Sequence, residues 1–72
     1  MSGSGTVERL VYMANQIATF FESQPHANAP LEIAKHINAF WVPSMRQTLI
    51  AYVESGGEGL RADAIEAAKL LN

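Results

Sequence analysis

A chain of 72 residues makes one domain at most, and at that size only about 60% of the unfolded surface is buried on folding, so the domain is marginal alone. A formal net charge of −2 without any run of Lys or Arg argues against a phosphate-backbone partner, and the absence of cysteine excludes disulfides, thiolate zinc sites and iron–sulfur ligation. No apolar run approaches the ~20 residues of a membrane span, and the N-terminus lacks the basic-then-apolar order of a secretion signal, which is compatible with a cytoplasmic setting.

Residues 1–5, Met-Ser-Gly-Ser-Gly, have the composition of a flexible leader and are set apart from the single domain of residues 6–72. Thr6 is placed to cap the first helix, with Glu8 in its first turn and Arg9 at the third helical position. Val7, Leu10, Val11, Ala14, Ile17, Ala18 and Phe21 recur at i, i+3, i+4 spacing and predict a helix over about residues 7–23, stopping before Pro25. Met13 and Phe20 widen its apolar arc, and Tyr12 lies nearly opposite the centre. The arc is broader than one neighbouring helix needs, so part of it is expected to face a partner.

Residues 24–28 connect to a second helix, with Asn28 as N-cap, Pro30 in the first turn and Glu32 behind it. Ile33, Ala34, Ile37, Phe40 and Trp41 form one stripe at 3.6 residues per turn. Pro43 ends this helix, since proline disfavours the helical conformation at Val42, and suits the first turn of the next. Two helices therefore meet at a corner with Phe40 and Trp41 in the elbow. Met45, Leu49, Tyr52 and Val53 share a face of the third helix, broadened by Ile50, while Gln47 and Glu54 point away. Gly56 is placed as the residue of positive φ after its end. The Gly-Gly-Glu-Gly loop of residues 56–59 leads to an alanine-rich helix over about residues 62–71, with Ala64, Ile65, Ala68 and Leu71 inward. Short connections between four helices predict a compact all-α bundle without strands.

The candidate sites each have a plain reading. Phe40, Trp41, Pro43 and Met45 form a core junction, or a docking hot spot if one edge of Trp41 stays exposed. Arg46 beside them is fitted to an interface rim or to a carboxylate. His26 and His36 share no face and no acidic cluster completes a metal set, so each reads as a surface or interface group. The glycine loop is followed by no Lys-Ser or Lys-Thr and preceded by no strand, so it is not a phosphate loop. Asn15 and Gln16 face either solvent or a polar partner surface. No Ser–His–Asp, Cys–His or paired-carboxylate arrangement emerges. A helix–corner–helix unit also suits DNA, but the acidic balance and the lack of a basic recognition helix oppose that reading.

Three segments carry a family resemblance: Met-Ala-Asn-Gln-Ile-Ala-Thr-Phe-Phe at residues 13–21 with Gln-Pro-His after it, His-Ile-Asn-Ala-Phe-Trp-Val-Pro-Ser-Met-Arg at residues 36–46, and Gly-Gly-Glu-Gly-Leu at residues 56–60. In order and spacing the chain resembles, from about Val7 to Leu71, the small delta subunit of soluble NAD-dependent formate dehydrogenases containing molybdenum or tungsten. Members tend to start the last helix with Asp-Pro; Arg61 and Ala62 stand here, so that helix lacks the expected cap. The resemblance implies a non-catalytic accessory subunit that binds the large catalytic subunit and supports assembly or retention of the pterin cofactor. It implies no cofactor and no small-molecule substrate in this chain. The parent complex would carry a molybdenum or tungsten pterin guanine dinucleotide, iron–sulfur clusters and FMN. Contact residues are expected in the matched segments and on the first helix: Tyr12, Met13 and Phe20 as apolar surface, His36, Arg46 and Glu58 as polar rim, and Trp41 as anchor. The alternative is a small helical module that uses its apolar excess to form a homo-oligomer.

Overall fold

Four helices make up the computed structural model, which describes residues 2–25 and 28–71, with side chains for residues 6–25 and 28–71. They are α1 (Ser2–Glu22), α2 (Ala29–Phe40), α3 (Pro43–Glu54) and α4 (Ala62–Ala68). No strand occurs among the described residues, and the expected all-α bundle is the fold found. The expected roles of His26 fall outside the described residues.

α1 starts ahead of residue 7. Thr6 and Glu8 lie inside it rather than at its cap and first turn, and residues 2–5 continue the helix. Ser and Gly are weak helix formers, so this extension leans on the helix already nucleated after it. Its stripe is buried as spaced: Leu10, Ala14 and Ala18 are enclosed. The breadth of the arc has a largely internal use, because α1 packs against all three other helices. Tyr12 and Phe20 are what it leaves exposed.

The α2 start follows from local chemistry. Asn28 has extended backbone and its Oδ1 accepts a hydrogen bond from the Leu31 N–H at 3.3 Å, with Pro30 in the first turn where a missing N–H costs nothing. The helix closes at Trp41, whose N–H donates to the Ile37 carbonyl at 2.9 Å while its own backbone is extended. Val42 is extended as well and Pro43 opens α3. Ile33, Ile37 and Leu49 are the largest fully enclosed side chains, and the core forms where α1 and α4, with their alanines, pack against α2 and α3.

After Ser55 the chain turns in a Schellman arrangement. The Gly57 N–H donates to the Tyr52 carbonyl and the Gly56 N–H to the Val53 carbonyl, each at 3.0 Å. Gly56 has φ 132°, as its expected role requires, and Gly57 has φ 66°. Gly57 is buried, and a Cβ there would sit 3.3 Å from the Ile65 side chain. The Tyr52 hydroxyl then donates to the Glu58 carbonyl at 2.5 Å and closes the loop.

α4 is shorter than expected. It ends at Ala68, and the Leu70 and Leu71 N–H groups donate three residues back, to Ala67 and Ala68, which tightens the last turn. Ala64 and Ala68 are buried, joined by Ala67, while Ile65 and Leu71 are half-buried. Small side chains let α4 lie close along α2, its most extensive pairing. Leu60 and Leu71 pack against the same core on either side of α4, and hydrogen bonds add to this contact.

Several of these come from α1. Asn15, expected to face solvent or a partner, faces the loop instead. Its Nδ2 donates to the Gly59 carbonyl and its Oδ1 accepts from the Arg61 N–H, both at 2.9 Å. Arg61 is the N-cap of α4 and makes no side-chain cap bond of its own. Asn15 thus supplies, from another helix, the acceptor that a capping box places within the same helix. The Arg61 guanidinium in turn donates from Nε and Nη2 to Glu22 Oε1 at 2.8 and 2.6 Å.

Candidate functional site

Where α1 crosses the α2–α3 corner it leaves an open groove of about 460 Å³. One wall is the α1 surface carrying Tyr12, Met13, Gln16 and Ile17; the other is the end of α2, with His36, Phe40 and Trp41, and Met45 from α3. Residues i, i+1, i+4 and i+5 of a helix share one side, which brings the four α1 side chains together. The lining is mostly apolar, and its polar side-chain groups are one amide, one hydroxyl, one imidazole and one indole N–H. Two flexible thioethers beside rings make a surface that adapts to an apolar segment.

Trp41 is 5% exposed and forms the floor, while Phe40 beside it is 74% exposed at the rim. This corrects the expectation that both fill the elbow. Phe40 is the last residue of α2, and at that end its side of the stripe has no helix opposite. Trp41, with extended backbone, turns under the corner. As a docking group Trp41 therefore has only an edge to offer, and Phe40 has most of a ring.

A line of rings flanks the groove. Phe20 meets Phe21 edge-on at 5.1 Å, Phe21 meets His36 at 6.4 Å, and His36 lies tilted on Phe40 at 4.7 Å. The imidazole is thus half-buried between two phenyl rings rather than fully solvated. Tyr12, on the opposite rim, accepts a hydrogen bond at its hydroxyl from Gln16 Nε2 at 2.6 Å.

Four residues expected to contact a partner, Tyr12, Met13, His36 and Trp41, come together in this groove, along with Gln16, Ile17, Phe40 and Met45. Phe20 is exposed beside it at the end of the ring line. Arg46 and Glu58 are placed elsewhere. Arg46 Nη1 donates to the Trp41 carbonyl at 2.6 Å, which ties α3 to the end of α2, and no ion pair to a carboxylate forms. Glu58 is exposed in the glycine loop, where only its carbonyl has a structural task.

Charge concentrates away from the groove, where α1 meets α4. The hydrogen bond from Arg61 holds the Glu22 carboxyl below its ordinary value. Burial, and then the neighbouring Glu22, push the Asp63 carboxyl up. Among the described residues no three His, Asp or Glu side chains are grouped as metal ligands, and no helix is long and apolar enough to cross a membrane. The arrangement can hold an apolar segment.

No curated relative and no solved structure matches the chain. A family profile, that of the NADH-dependent formate dehydrogenase delta subunit FdsD, matches residues 9–68. The match takes in every residue lining the groove, the α2–α3 corner and the glycine loop, and the chain belongs to the family of NADH-dependent formate dehydrogenase delta subunits.

Proposed function

We propose that this chain is a non-catalytic accessory subunit that docks through its groove on the large catalytic subunit of a cytoplasmic formate dehydrogenase. Its task there is to support assembly of that subunit or retention of its pterin cofactor. The observation that carries the reading is the apolar groove with Tyr12 and Phe40 exposed on its rims, 65% and 74% accessible, in a chain whose family is defined by membership of a complex. Exposed aromatic rings around an enclosed tryptophan are the composition of docking hot spots.

The chain has no cysteine to supply an iron–sulfur cluster, and among the described residues no three His, Asp or Glu side chains are grouped as metal ligands. The pterin, the clusters and FMN belong, in this reading, to the other subunits. An accessory chain of this kind acts by mass action: at a hundred times its dissociation constant it stabilises the bound form of its partner by ~2.7 kcal/mol.

Co-expression with the catalytic subunit tests the proposal. Metal, pterin and activity per catalytic subunit are measured without the chain, with it, and with a Tyr12→Ala/Phe40→Ala variant. The expected result is a loss in the first and third preparations, with the variant folded but no longer co-purifying. Equal metal, pterin and activity in all three overturns it. A purified chain that is a stable dimer, and turns monomeric in the variant, would assign the groove to a second copy instead.

A further inference from the structure

We propose that α4 and the glycine loop before it form a latch, a unit that leaves the α1–α3 body in one step of local unfolding, with Asn15 and Glu22 as its catch. α4 has seven residues, too few to persist as a helix once undocked. The side chains it buries fully are alanines, with Leu60, Ile65 and Leu71 only partly buried. Its N-terminus has no cap of its own and is held by two residues of α1: Asn15, through both the Gly59 carbonyl and the Arg61 N–H, and Glu22, through the Arg61 guanidinium.

The hinge lies at Gly56 and Gly57, both at positive φ, the conformations glycine adopts without steric cost. On the body side of that hinge the Schellman bonds anchor Gly56 and Gly57 to α3. On the latch side, side-chain hydrogen bonds to α1 run through Asn15 and Glu22. One further bond, from the Tyr52 hydroxyl to the Glu58 carbonyl, ties the loop to α3 close to the hinge. Breaking the catch therefore frees residues 60–71 together rather than one by one. Cooperative units of this kind open at free energies well below that of global unfolding. Release strips α2 of its most extensive helix contact, so the latch governs how much of α2 is covered.

Amide hydrogen exchange of the intact chain, followed by mass spectrometry, tests this. The amides of residues 62–71 are expected to exchange as one group, at least about tenfold faster than those of residues 33–40 and 10–18. Asn15→Ala is expected to raise exchange in residues 58–71 a further ~10-fold and leave the others unchanged. Asn15→Asp, which keeps the acceptor for the Arg61 N–H and loses the donor to Gly59, should fall between. Equal protection of α4 and α2 in the parent chain overturns the latch. So does an Asn15→Ala variant whose exchange rises equally in every helix, since Asn15 would then support the whole fold.

Discussion

Phe40 and Trp41 are neighbours with opposite surroundings, and replacing each by alanine separates stability from docking. Trp41 is 5% exposed on the groove floor, and truncating an enclosed aromatic typically costs about 3–5 kcal/mol. A domain of 72 residues holds ~4–11 kcal/mol in all, so Trp41→Ala removes about a quarter of the stability at the least. At roughly 4–8 °C per kcal/mol for this size, Tm falls by about 12–40 °C. Phe40 is 74% exposed and touches His36 alone among the rings, at 4.7 Å. Surface substitutions of that kind stay within about 0.5 kcal/mol, so Phe40→Ala shifts Tm by no more than ~4 °C. Thermal melts by far-ultraviolet circular dichroism on dilute protein decide the matter. A Trp41→Ala chain melting within ~4 °C of the parent would show that the tryptophan packs nothing of consequence. A Phe40→Ala chain melting more than ~10 °C lower would place the phenylalanine in the core.

Gly57→Ala forces a Cβ into a backbone with φ 66° and to within 3.3 Å of Ile65; the expected loss is about 1–3 kcal/mol, read from the same melts, and an unchanged Tm counts against the close approach of loop and α4. Acid dependence follows from the two carboxyls at the α1–α4 contact. Glu22, lowered from 4.5, contributes its full stability above that pH and loses it as pH falls through its lower folded value, whereas Asp63, raised from 3.8, is penalised while charged and relieved on protonation. The two oppose each other, so Asp63→Asn should steepen the fall of Tm between about pH 5 and pH 3; a slope equal to that of the parent chain would mean the Asp63 carboxyl is not raised in the folded chain.

Much of the fold was legible because its signals are local. Asn28 caps and Pro30 starts α2 within four residues, and Pro43 dictates the corner through its effect on Val42. The periodic stripes named the buried sides of α1 and α2 because burial follows helical spacing. Periodicity says which side of a helix turns inward but not where the opposing helix stops, and that is why Phe40 was placed inside. Asn15 shows the other limit. Its two bonds reach residues 44 and 46 positions away, and a lone amide in an apolar segment carries no mark of so distant a partner. The groove was legible only in part for the same reason. Tyr12 stands out by lying opposite the stripe, but its meeting with His36 and Met45 depends on how three helices cross. Arg46 beside Trp41 had a signal in reach, since a basic side chain soon after a helix end can bond the last carbonyls.

That Arg46 bond has a kinetic consequence. By holding the Trp41 carbonyl it joins the two parts of one groove wall, so the end of α2 and the start of α3 turn as one body. A partner docking there meets a face already in shape, with no loop to order and no closure to await. Association onto such a face runs at the ~10⁵–10⁷ M⁻¹ s⁻¹ of ordinary rigid docking, and differences among groove variants appear in how long the partner stays. Cutting the Arg46 bond, with every groove side chain left in place, would slow the encounter itself.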